Sequence, residues 1–254
     1  MDLNLKGKVA LVTGGSHGLG EALCFGLAAE GAVVAVNYRQ DRALAEAVVV
    51  KINARHNGEA FPVAGDMSSE SSVIAMFDEV EARCGRVDIL VNNAGICPVA
   101  QVKDLTVEMW NQTITVNLTG TFLCCREMVK RLLAKNIKGR IVNVASQAAF
   151  RGSATGGKSH YASSKAGIIA FTVALAQEMA PHGICVNAVA PGMIKTEMVA
   201  EILKTNAERY KKVIPLQRAA EPEEIANVVT FLCSDRASYV TGSTYDVSGG
   251  WLLH

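Results

Sequence analysis

The stretch that constrains the architecture most strongly is Val9-Ala-Leu-Val-Thr13-Gly14-Gly-Ser-His-Gly18-Leu-Gly20. Its apolar residues have the character of a buried strand, and a helical pattern begins directly after the glycines. Glycines permit a tight turn and a close backbone approach, while the free N–H groups of a helix start favour a phosphate. The glycine spacing is Gly-x3-Gly-x-Gly rather than the commoner Gly-x-Gly-x-x-Gly. Structural turns share this composition, but the position between a strand and a helix favours a dinucleotide site.

Strand-like and helical segments alternate along the rest of the chain. This alternation predicts βαβ units, and hence an α/β fold of the Rossmann type with a doubly wound parallel sheet and three αβα layers. Because no linker, charge run or repeat marks a boundary, we expect residues 1–254 to form a single domain. The predicted strands are Val9–Val12, Ala32–Val36, Ala60–Val63, Val87–Val91, Ile141–Val144, Cys185–Ala188 and Ser243–Val247, and the predicted helices are Gly20–Glu30, Arg42–His56, Glu70–Cys84, Val107–Leu133, Tyr161–Ala180, Thr196–Tyr210 and Glu221–Ser234.

The composition narrows the classes of function. Half of the 254 residues are hydrophobic and 19% are charged, which suits a large buried core and argues against disorder. A net charge of +1 gives no general attraction to nucleic acid or to an anionic membrane. No signal-peptide core and no long apolar run is present, so we expect a cytoplasmic protein. The seven cysteines lack metal-ligand spacing, and we expect reduced thiols and no metal site.

A tyrosine and a lysine, Tyr161 and Lys165, stand four residues apart in a predicted helix. Residues at this spacing share one helix face. A phenol titrates near pH ~10, and a neighbouring cation brings its pKa toward the working range. Such a pair could exchange a proton with an alcohol or carbonyl oxygen. Most pairs of this kind are surface chemistry, so the motifs around it decide the interpretation.

Other candidate residues follow the predicted strands at the edge where a parallel sheet binds ligands. Ser146 ends the fifth strand, where its hydroxyl could orient a substrate oxygen or only form a turn. Asn92-Asn-Ala-Gly95 follows the fourth strand, where small residues would admit a ribose, although a plain turn has the same composition. Asn117 lies within a helical stretch, and its amide could hold a water beside the lysine or be a satisfied buried group.

The end of the second strand bears on cofactor choice, because an acid there binds both ribose hydroxyls and selects NAD. The run Val36-Asn-Tyr-Arg39 contains no acid. Arg39 could pair with a 2′-phosphate and His17 could add a donor, unless Arg39 is only a solvated loop residue. We therefore favour NADP(H), with NAD(H) possible. Asp66, after the third strand, could face the adenine amino group or cap the next helix alongside Ser68.

Together these motifs resemble the single-domain form of the short-chain dehydrogenase/reductase family. They run in the family's order and span nearly the whole chain: Thr13-Gly14-x3-Gly18-x-Gly20, Asn92-Asn-Ala-Gly95, Asn117, Ser146, Tyr161-x3-Lys165 and Pro191-Gly192. The resemblance implies hydride transfer between a nicotinamide and the carbon of a carbonyl or secondary alcohol. It implies that Tyr161 is the general acid/base and that Ser146 holds the substrate oxygen. It also implies that Lys165 lowers the phenol pKa and binds the nicotinamide ribose, while Asn117 anchors a relay water.

The resemblance also assigns a cofactor site, a substrate site and a lid. Residues at about 192–215 would form the lid over the nicotinamide and substrate. The implied cofactor-binding residues are Gly14, Ser16, His17, Gly18, Leu19, Gly20, Asn37, Tyr38, Arg39, Asp66, Met67, Asn93, Ala94, Gly95, Tyr161, Lys165, Pro191, Gly192, Ile194 and Thr196, and the substrate candidates are Gln147, Phe150, Ser153, Met193 and Met198.

One segment departs from the family pattern. Between Ser146 and Tyr161 lies Gln147–His160, which we call the pre-tyrosine segment and which is longer than is usual in the family. Its flexible residues could reshape the substrate mouth. The resemblance further implies a homotetramer, or a dimer, formed through the two long helices and the C-terminal tail. Trp251 in that tail could pack against a partner or against its own chain.

Among family members, the chain looks most like 3-oxoacyl-(acyl-carrier-protein) reductases, with sugar, polyol or other secondary-alcohol dehydrogenases as the alternative. A catalytically silent dinucleotide-binding protein is the remote alternative. The short chain argues against extended epimerases, and the tight Tyr-x3-Lys spacing argues against enoyl reductases. A carrier-protein partner stays open: Lys130, Arg131, Lys135 and Lys138 offer basic residues for docking, whereas Ile137 and His182 stand where arginines would be expected.

Overall fold

The computed structural model describes residues 2–55, 59–152, 156–197 and 208–252. Seven strands form one sheet in which every neighbouring pair is parallel. The strands are β1 (Val9–Val12), β2 (Val33–Tyr38), β3 (Ala60–Ala64), β4 (Ile89–Asn92), β5 (Arg140–Val144), β6 (Cys185–Pro191) and β7 (Thr244–Val247). Their order across the sheet is β3-β2-β1-β4-β5-β6-β7. The order reverses direction between β1 and β4, so the predicted doubly wound parallel sheet is confirmed, with its crevice at this switch point.

Helices connect the strands and cover both faces of the sheet. They are α1 (Gly18–Ala29), α2 (Arg42–Arg55), α3 (Glu70–Cys84), α4 (Val107–Ile114), α5 (Gly120–Lys135), α6 (Ala148–Arg151), α7 (Ser159–Met179) and α8 (Pro222–Cys233), and residues 208–213 are also helical. The prediction of one continuous helix over Val107–Leu133 is wrong, because a π-helical turn at Thr115–Thr119 separates α4 from α5. The predicted helix Thr196–Tyr210 falls largely on residues 198–207, outside the described part of the chain.

Two apolar clusters, one on each face of the sheet, form the core. In β1, Ala10 and Val12 face one cluster while Val9 and Leu11 face the other, as the alternation of a strand requires. The first cluster holds the sheet against α1, α2 and α8, and the second holds it against α3, α5 and α7. Strands buried on both faces read as continuous apolar runs, which is why the sequence marks them clearly.

The described residues contain no helix long and apolar enough to cross a membrane. In the same part of the chain, no group of three histidine, cysteine or acidic side chains is placed to hold a metal ion. All seven cysteines are described and are free thiols, and five of them are buried. Buried thiols of this kind pack as small hydrophobic groups.

Candidate active site

The glycine-rich loop at 14–20, which we call the glycine turn, joins β1 to α1 by unusually close packing. Gly14 and Gly18 take left-handed φ angles of +61° and +57°. A Cβ on Gly20 would overlap the carbonyl oxygen of Gly14, and one on Gly15 would come within 2.9 Å of the Cys24 sulfur. His17 at the helix start makes no side-chain cap, which leaves the first N–H groups of α1 open. A compact turn with free N–H groups is a cradle for a phosphate.

Side chains from neighbouring strand ends hold this turn in place. Thr13 Oγ1 accepts hydrogen bonds from the backbone N–H groups of Asn93 and Ala94, at 2.9 and 3.0 Å. Asn93 Nδ2 donates to the carbonyl oxygens of Thr13 and Gly14, at 3.0 and 3.1 Å. Asn37 Oδ1 accepts from the Gly14 N–H at 3.0 Å. The loops after β1, β2 and β4 are therefore one hydrogen-bonded unit.

Two of the predicted cofactor residues have side chains that are committed to the fold. Asn37 is 2% exposed, and its amide donates to the backbone oxygens of Tyr38, Val63 and Gly65. Met67 packs in the core, where its sulfur accepts from the thiol of Cys124. Only the backbone of these two residues is left to meet a cofactor. Leu19, Tyr38 and Ile194 are partly buried against the first core cluster.

The outer rim of the crevice carries Arg39 and Asp66. Arg39 is exposed, and its charge acts on the Asp66 carboxylate. Hydrogen bonds from Ser68 are the main cause that holds the pKa of Asp66 below its ordinary value, and the Arg39 charge adds to them. The N-cap of α3 is Ser69, which accepts from the Ser72 N–H, so the alternative in which Asp66 caps this helix alongside Ser68 does not hold. Asp66 instead closes a short turn over Ser68, at 2.6 Å from its hydroxyl.

Tyr161 and Lys165 meet on the first turns of α7, at the carboxyl end of β5. The Lys165 Nζ lies 5.8 Å from the centre of the Tyr161 ring and donates to the backbone oxygen of Val144 at 2.6 Å. The Tyr161 hydroxyl is hydrogen-bonded to Ser146. Gly95 lies beside them, since a Cβ there would come within 3.7 Å of Lys165 Nζ. The structure therefore brings together the predicted phenol, ammonium and serine.

Burial shifts the two titratable groups in opposite directions. Desolvation raises the pKa of Tyr161 to about 12, although the hydrogen bond to Ser146 acts against this rise. Desolvation also lowers the pKa of Lys165 to about 8. The causes of the Tyr161 shift are burial, the Cys97 thiol and Ser146, so the expectation that Lys165 lowers the phenol pKa stays a prediction. Tyr161 therefore keeps its proton at neutral pH.

Asn117 lies in the π-helical turn and is fully buried. Its Oδ1 accepts from the Ile96 N–H at 2.8 Å, and its Nδ2 donates at 3.0 Å to both the Ile96 carbonyl and Ser164 Oγ. Ser164 Oγ in turn donates to the Tyr161 carbonyl at 2.7 Å. The side chain is the satisfied buried amide of the alternative interpretation, and it ties the loop after β4 to the helix turn that carries Tyr161.

The end of β6 and the loop after it contact both the predicted cofactor region and the predicted substrate region. Gln147 N–H donates to the Pro191 carbonyl at 3.0 Å. Gly192 is packed so closely that a Cβ would come within 2.8 Å of the Ser248 Cα. Thr196 lies beside the glycine turn, since a Cβ on Gly18 would be 3.6 Å from its methyl group. The loop therefore bridges the predicted cofactor and substrate regions.

The predicted substrate residues have varied environments. Met193 packs against a small cluster of Tyr210, Ile214 and Trp251. Gln147 is buried, whereas Phe150 is 45% exposed. Ser153 and Met198 lie outside the described residues.

Trp251 packs on its own chain, which decides between the two alternatives for this residue. Its ring meets Tyr210 edge to face at 5.8 Å, and the Arg151 guanidinium lies 5.4 Å from its centre. Arg151 also hydrogen-bonds the Trp251 carbonyl. The C-terminal tail is thus attached to the pre-tyrosine segment of the same chain.

The basic cluster considered for carrier docking lies away from the site. Lys130 pairs with Glu127, and Arg131 and Lys135 both pair with Glu81. α5 ends just before β5 begins, so its last turn lies at the amino edge of the sheet, opposite Ser146 and Tyr161. The sequence alone could not show that Lys130, Arg131 and Lys135 are ion-paired or that they lie on the opposite edge.

Cys97 and Lys158 were not among the predicted site residues. Cys97 is half-buried, and its thiol interacts electrostatically with Tyr161 and Lys165. Lys158 is the residue before α7 and acts on the same thiol. The only sequence signal for Cys97 was its place two residues after Gly95.

A doubly wound sheet with a phosphate cradle at its switch point, and a serine, tyrosine and lysine beside it, defines a dinucleotide-dependent oxidoreductase. Residues 14–252 match the family described as enoyl-(acyl carrier protein) reductase. The 3-oxoacyl-[acyl-carrier-protein] reductase FabG of Aquifex aeolicus is 41% identical over 98% of this chain and 99% of its own length. The uncharacterized oxidoreductase YgfF of Escherichia coli is 46% identical over 95% of this chain and 99% of its own.

A solved structure of an oxidoreductase is also similar to this chain. The crystal structure of a short-chain type dehydrogenase/reductase from Mycobacterium marinum superposes with a TM-score of 0.94 at 34% identity, covering 100% of this chain and 98% of that one. The chain belongs to the short-chain dehydrogenase/reductase family. The family implies a nicotinamide dinucleotide cofactor, and the glycine turn fits one, because its packed glycines and uncapped helix start leave a cradle for the phosphates.

Proposed function

We propose that this protein is an NADP(H)-dependent reductase of 3-oxo compounds, which converts the carbonyl to a secondary alcohol. The observation that carries the proposal is the placement of the Tyr161 phenol, which lies beside the Lys165 ammonium at the carboxyl edge of the sheet and interacts with Ser146. A proton donor at this position suits reduction, in which the substrate oxygen gains a proton. The relatives named 3-oxoacyl-[acyl-carrier-protein] reductase support the choice of a 3-oxo substrate.

When bound, a reduced nicotinamide would supply the hydride that the carbonyl carbon gains in the proposed reaction. Ser146 and Tyr161 direct their hydroxyl groups to the carbonyl oxygen, and Tyr161 transfers its proton as negative charge develops there. The Lys165 ammonium, 5.8 Å from the ring, stabilises the phenolate that remains. The hydrogen bonds from Asn117 through Ser164 hold the turn that carries Tyr161. Residues 192–215 would act as the lid that excludes water from this step.

The cofactor preference rests on the end of β2. Arg39 is exposed there, and the first acid after the strand is Asp41. A guanidinium is well suited to a 2′-phosphate, whereas a carboxylate would repel it. This supports NADP(H) over NAD(H).

Assembly as a homotetramer is also proposed. Apolar side chains are exposed on the two long helical regions, Trp110 on α4, Phe122 on α5 and Val173 on α7. Phe122 meets Phe171 of α7 edge to face, so α5 and α7 present one apolar surface. Sedimentation of the full chain would measure the assembly.

A substrate panel tests the activity. The purified full chain would be incubated with NADPH and, separately, a free 3-oxo acid, a 3-oxoacyl thioester, a 3-oxo ester and a ketose, and NADPH oxidation would be followed optically. Faster turnover of the 3-oxo compounds supports the proposal. Turnover of the ketose alone would favour the sugar dehydrogenase alternative. Absence of turnover with every compound, while NADPH binds, would overturn the proposed activity.

A further inference from the structure

The pre-tyrosine segment delivers a lysine to the catalytic site. Gly156 and Gly157 both take left-handed φ angles, +70° and +64°. The Gly157 carbonyl accepts from the Ala100 N–H at 2.8 Å, and a Cβ on Gly157 would come within 3.1 Å of Val99. These contacts fix the chain immediately before Lys158, which is half-buried at the start of α7. The backbone there is shaped and anchored, so the position of Lys158 is built into the fold.

Lys158 directly follows Gly157, which contacts Val99 and Ala100 in the loop that carries Cys97. Its charge acts on the Cys97 thiol, as does that of Lys165, and the same thiol interacts with Tyr161. Cys97 is therefore the common neighbour of two ammonium groups and the phenol. Lys158 is the N-cap of α7 and precedes Tyr161 by three residues, about one helical turn, and the helical Tyr161 side chain points back toward the start of α7. A group bound by Lys158 would lie next to the Tyr161 hydroxyl.

The charge of Lys158 is not balanced within the described part of the chain. The Lys158 carbonyl accepts from the Ala162 N–H at 2.9 Å, but no hydrogen bond or ion pair of the Lys158 ammonium occurs among the described residues. In that part of the chain, Cys97 is the one titratable group that acts on Tyr161 or Lys165. The start of α7 is also without a side-chain cap. Two neighbouring residues on this turn add unmet polar groups, since Ser159 Oγ and both ring nitrogens of the fully buried His160 have no partner in the described residues.

We propose that Lys158 binds the carboxylate of the substrate, so that the preferred substrates are free 3-oxo acids rather than their neutral esters or thioesters. The inference rests on the proposed reductase function and names its substrate class. In a 3-oxo acid, one methylene separates the carboxylate from the reacting carbonyl, which suits groups one helical turn apart. A half-buried ammonium without a partner binds a carboxylate more strongly than an exposed one does.

Binding measurements test this with acetoacetate and methyl acetoacetate, which differ in the charge. Calorimetry on the full chain saturated with NADP⁺ would give the Kd of each. Lys158→Met is expected to raise the Kd of acetoacetate by about 10- to 100-fold and to change the Kd of the ester by no more than about twofold. Lys158→Arg keeps the charge and is expected to restore most of the affinity.

Lys8→Met is the matched control, because Lys8 is also half-buried and lies before β1, at the opposite edge of the sheet. It should bind both compounds as the unchanged protein does. The unchanged protein provides a test that needs no variant, since added salt should weaken the binding of acetoacetate and leave the binding of the ester unchanged.

The outcomes separate the two proposals. Equal affinity for acid and ester in the unchanged protein, or equal loss of both in Lys158→Met, would overturn the carboxylate site and leave a reductase of neutral 3-oxo compounds. Selective loss of acetoacetate affinity in Lys158→Met supports the site. If the unchanged protein binds acetoacetate but oxidises NADPH with none of the carbonyl compounds, the reductase activity fails, while the anion site stands on the binding data.

Discussion

The glycine turn and the pre-tyrosine segment use the same residue in different ways. Both contain left-handed glycines, Gly14 and Gly18 in one and Gly152, Gly156 and Gly157 in the other. In the glycine turn, neighbouring backbone and side chains occupy the space where a Cβ would lie. In the pre-tyrosine segment, a Cβ on Gly152 would have no atom within 4 Å. The first region presents its backbone to a ligand. The second has open space at Gly152 but packs Gly157 against Val99 and Ala100, so residues near Gly152 can change at little cost to the packing of the fold.

Tyr161→Phe gives the largest expected effect and separates the two regions. Loss of the hydroxyl should lower kcat by about 10²- to 10⁴-fold, because the proton donor is gone. NADPH affinity should stay within about twofold, since the glycine turn is untouched. Stopped-flow turnover and a fluorescence titration of NADPH measure the two quantities. A Phe variant that keeps full turnover would show that Tyr161 is not the proton donor.

A comparison of Gly20→Ala with Gly152→Ala tests the difference in packing between the glycine turn and the pre-tyrosine segment. The added methyl group on Gly20 overlaps the Gly14 carbonyl, and we expect a loss of about 3 kcal/mol in the free energy of unfolding together with weaker NADPH binding. Gly152→Ala should cost about 1–2 kcal/mol, from its backbone conformation alone (φ +69°, ψ −160°), with unchanged NADPH affinity. Urea unfolding and NADPH titration measure both. Equal effects at the two positions would contradict the comparison.

Lys165→Met tests the burial of the ammonium through the pH dependence of stability. The folded-state pKa of Lys165 is about 8, below its ordinary value of 10.5, so between these pH values the unfolded chain binds more protons. The Lys165 contribution to stability therefore rises with pH in this window, and the full cost of burying the charge is present below pH 8. Between pH ~8 and ~9.5, the unchanged protein should gain about 2 kcal/mol relative to Lys165→Met.

Urea unfolding at the two pH values measures this difference. The raised pKa of Tyr161 acts with the opposite sign, but only above its ordinary value of 10, so it does not interfere in this window. A difference between the two proteins that does not change with pH would show that the ammonium is not desolvated.

Arg39→Ser carries the smallest expected effect and concerns only the cofactor region. If Arg39 pairs with the 2′-phosphate, the variant should lose about tenfold in NADPH affinity and nothing in NADH affinity. Arg42→Ser is the matched control, because Arg42 is nearby and exposed but pairs with Glu46. Similar losses in the two variants would point to a general effect of charge rather than to a specific contact.

The sequence predicts best where local chemistry determines structure. Both ends of α3 are predicted at Glu70 and Cys84, since Ser69 caps one end and Gly85 closes the other with a φ of +78°. β1 and the glycine turn are predicted for the same reason. In the candidate site, Ser146, Tyr161 and Lys165 are brought together as the motif order indicates.

Features that depend on tertiary burial could not be predicted. The pKa of Tyr161 rises because the surrounding structure removes water, which no spacing of residues reveals. Asn37 looked like a cofactor contact because it follows a strand, yet its amide is used to bind three backbone oxygens. Lys158 has no motif, and its approach to Cys97 depends on two left-handed glycines and on contacts with the loop after β4.

The π-helical turn at Thr115–Thr119 makes the site sensitive to chain length as well as to residue identity. An α-helix advances about 100° per residue, so removing one residue ahead of Asn117 to restore regular α-helix would turn its amide away from Ile96 and Ser164. A single-codon deletion could therefore inactivate the enzyme with all four predicted catalytic residues still present. Inspection of those four residues alone would miss such a loss, whereas the length of the segment between Gly95 and Ser146 would reveal it.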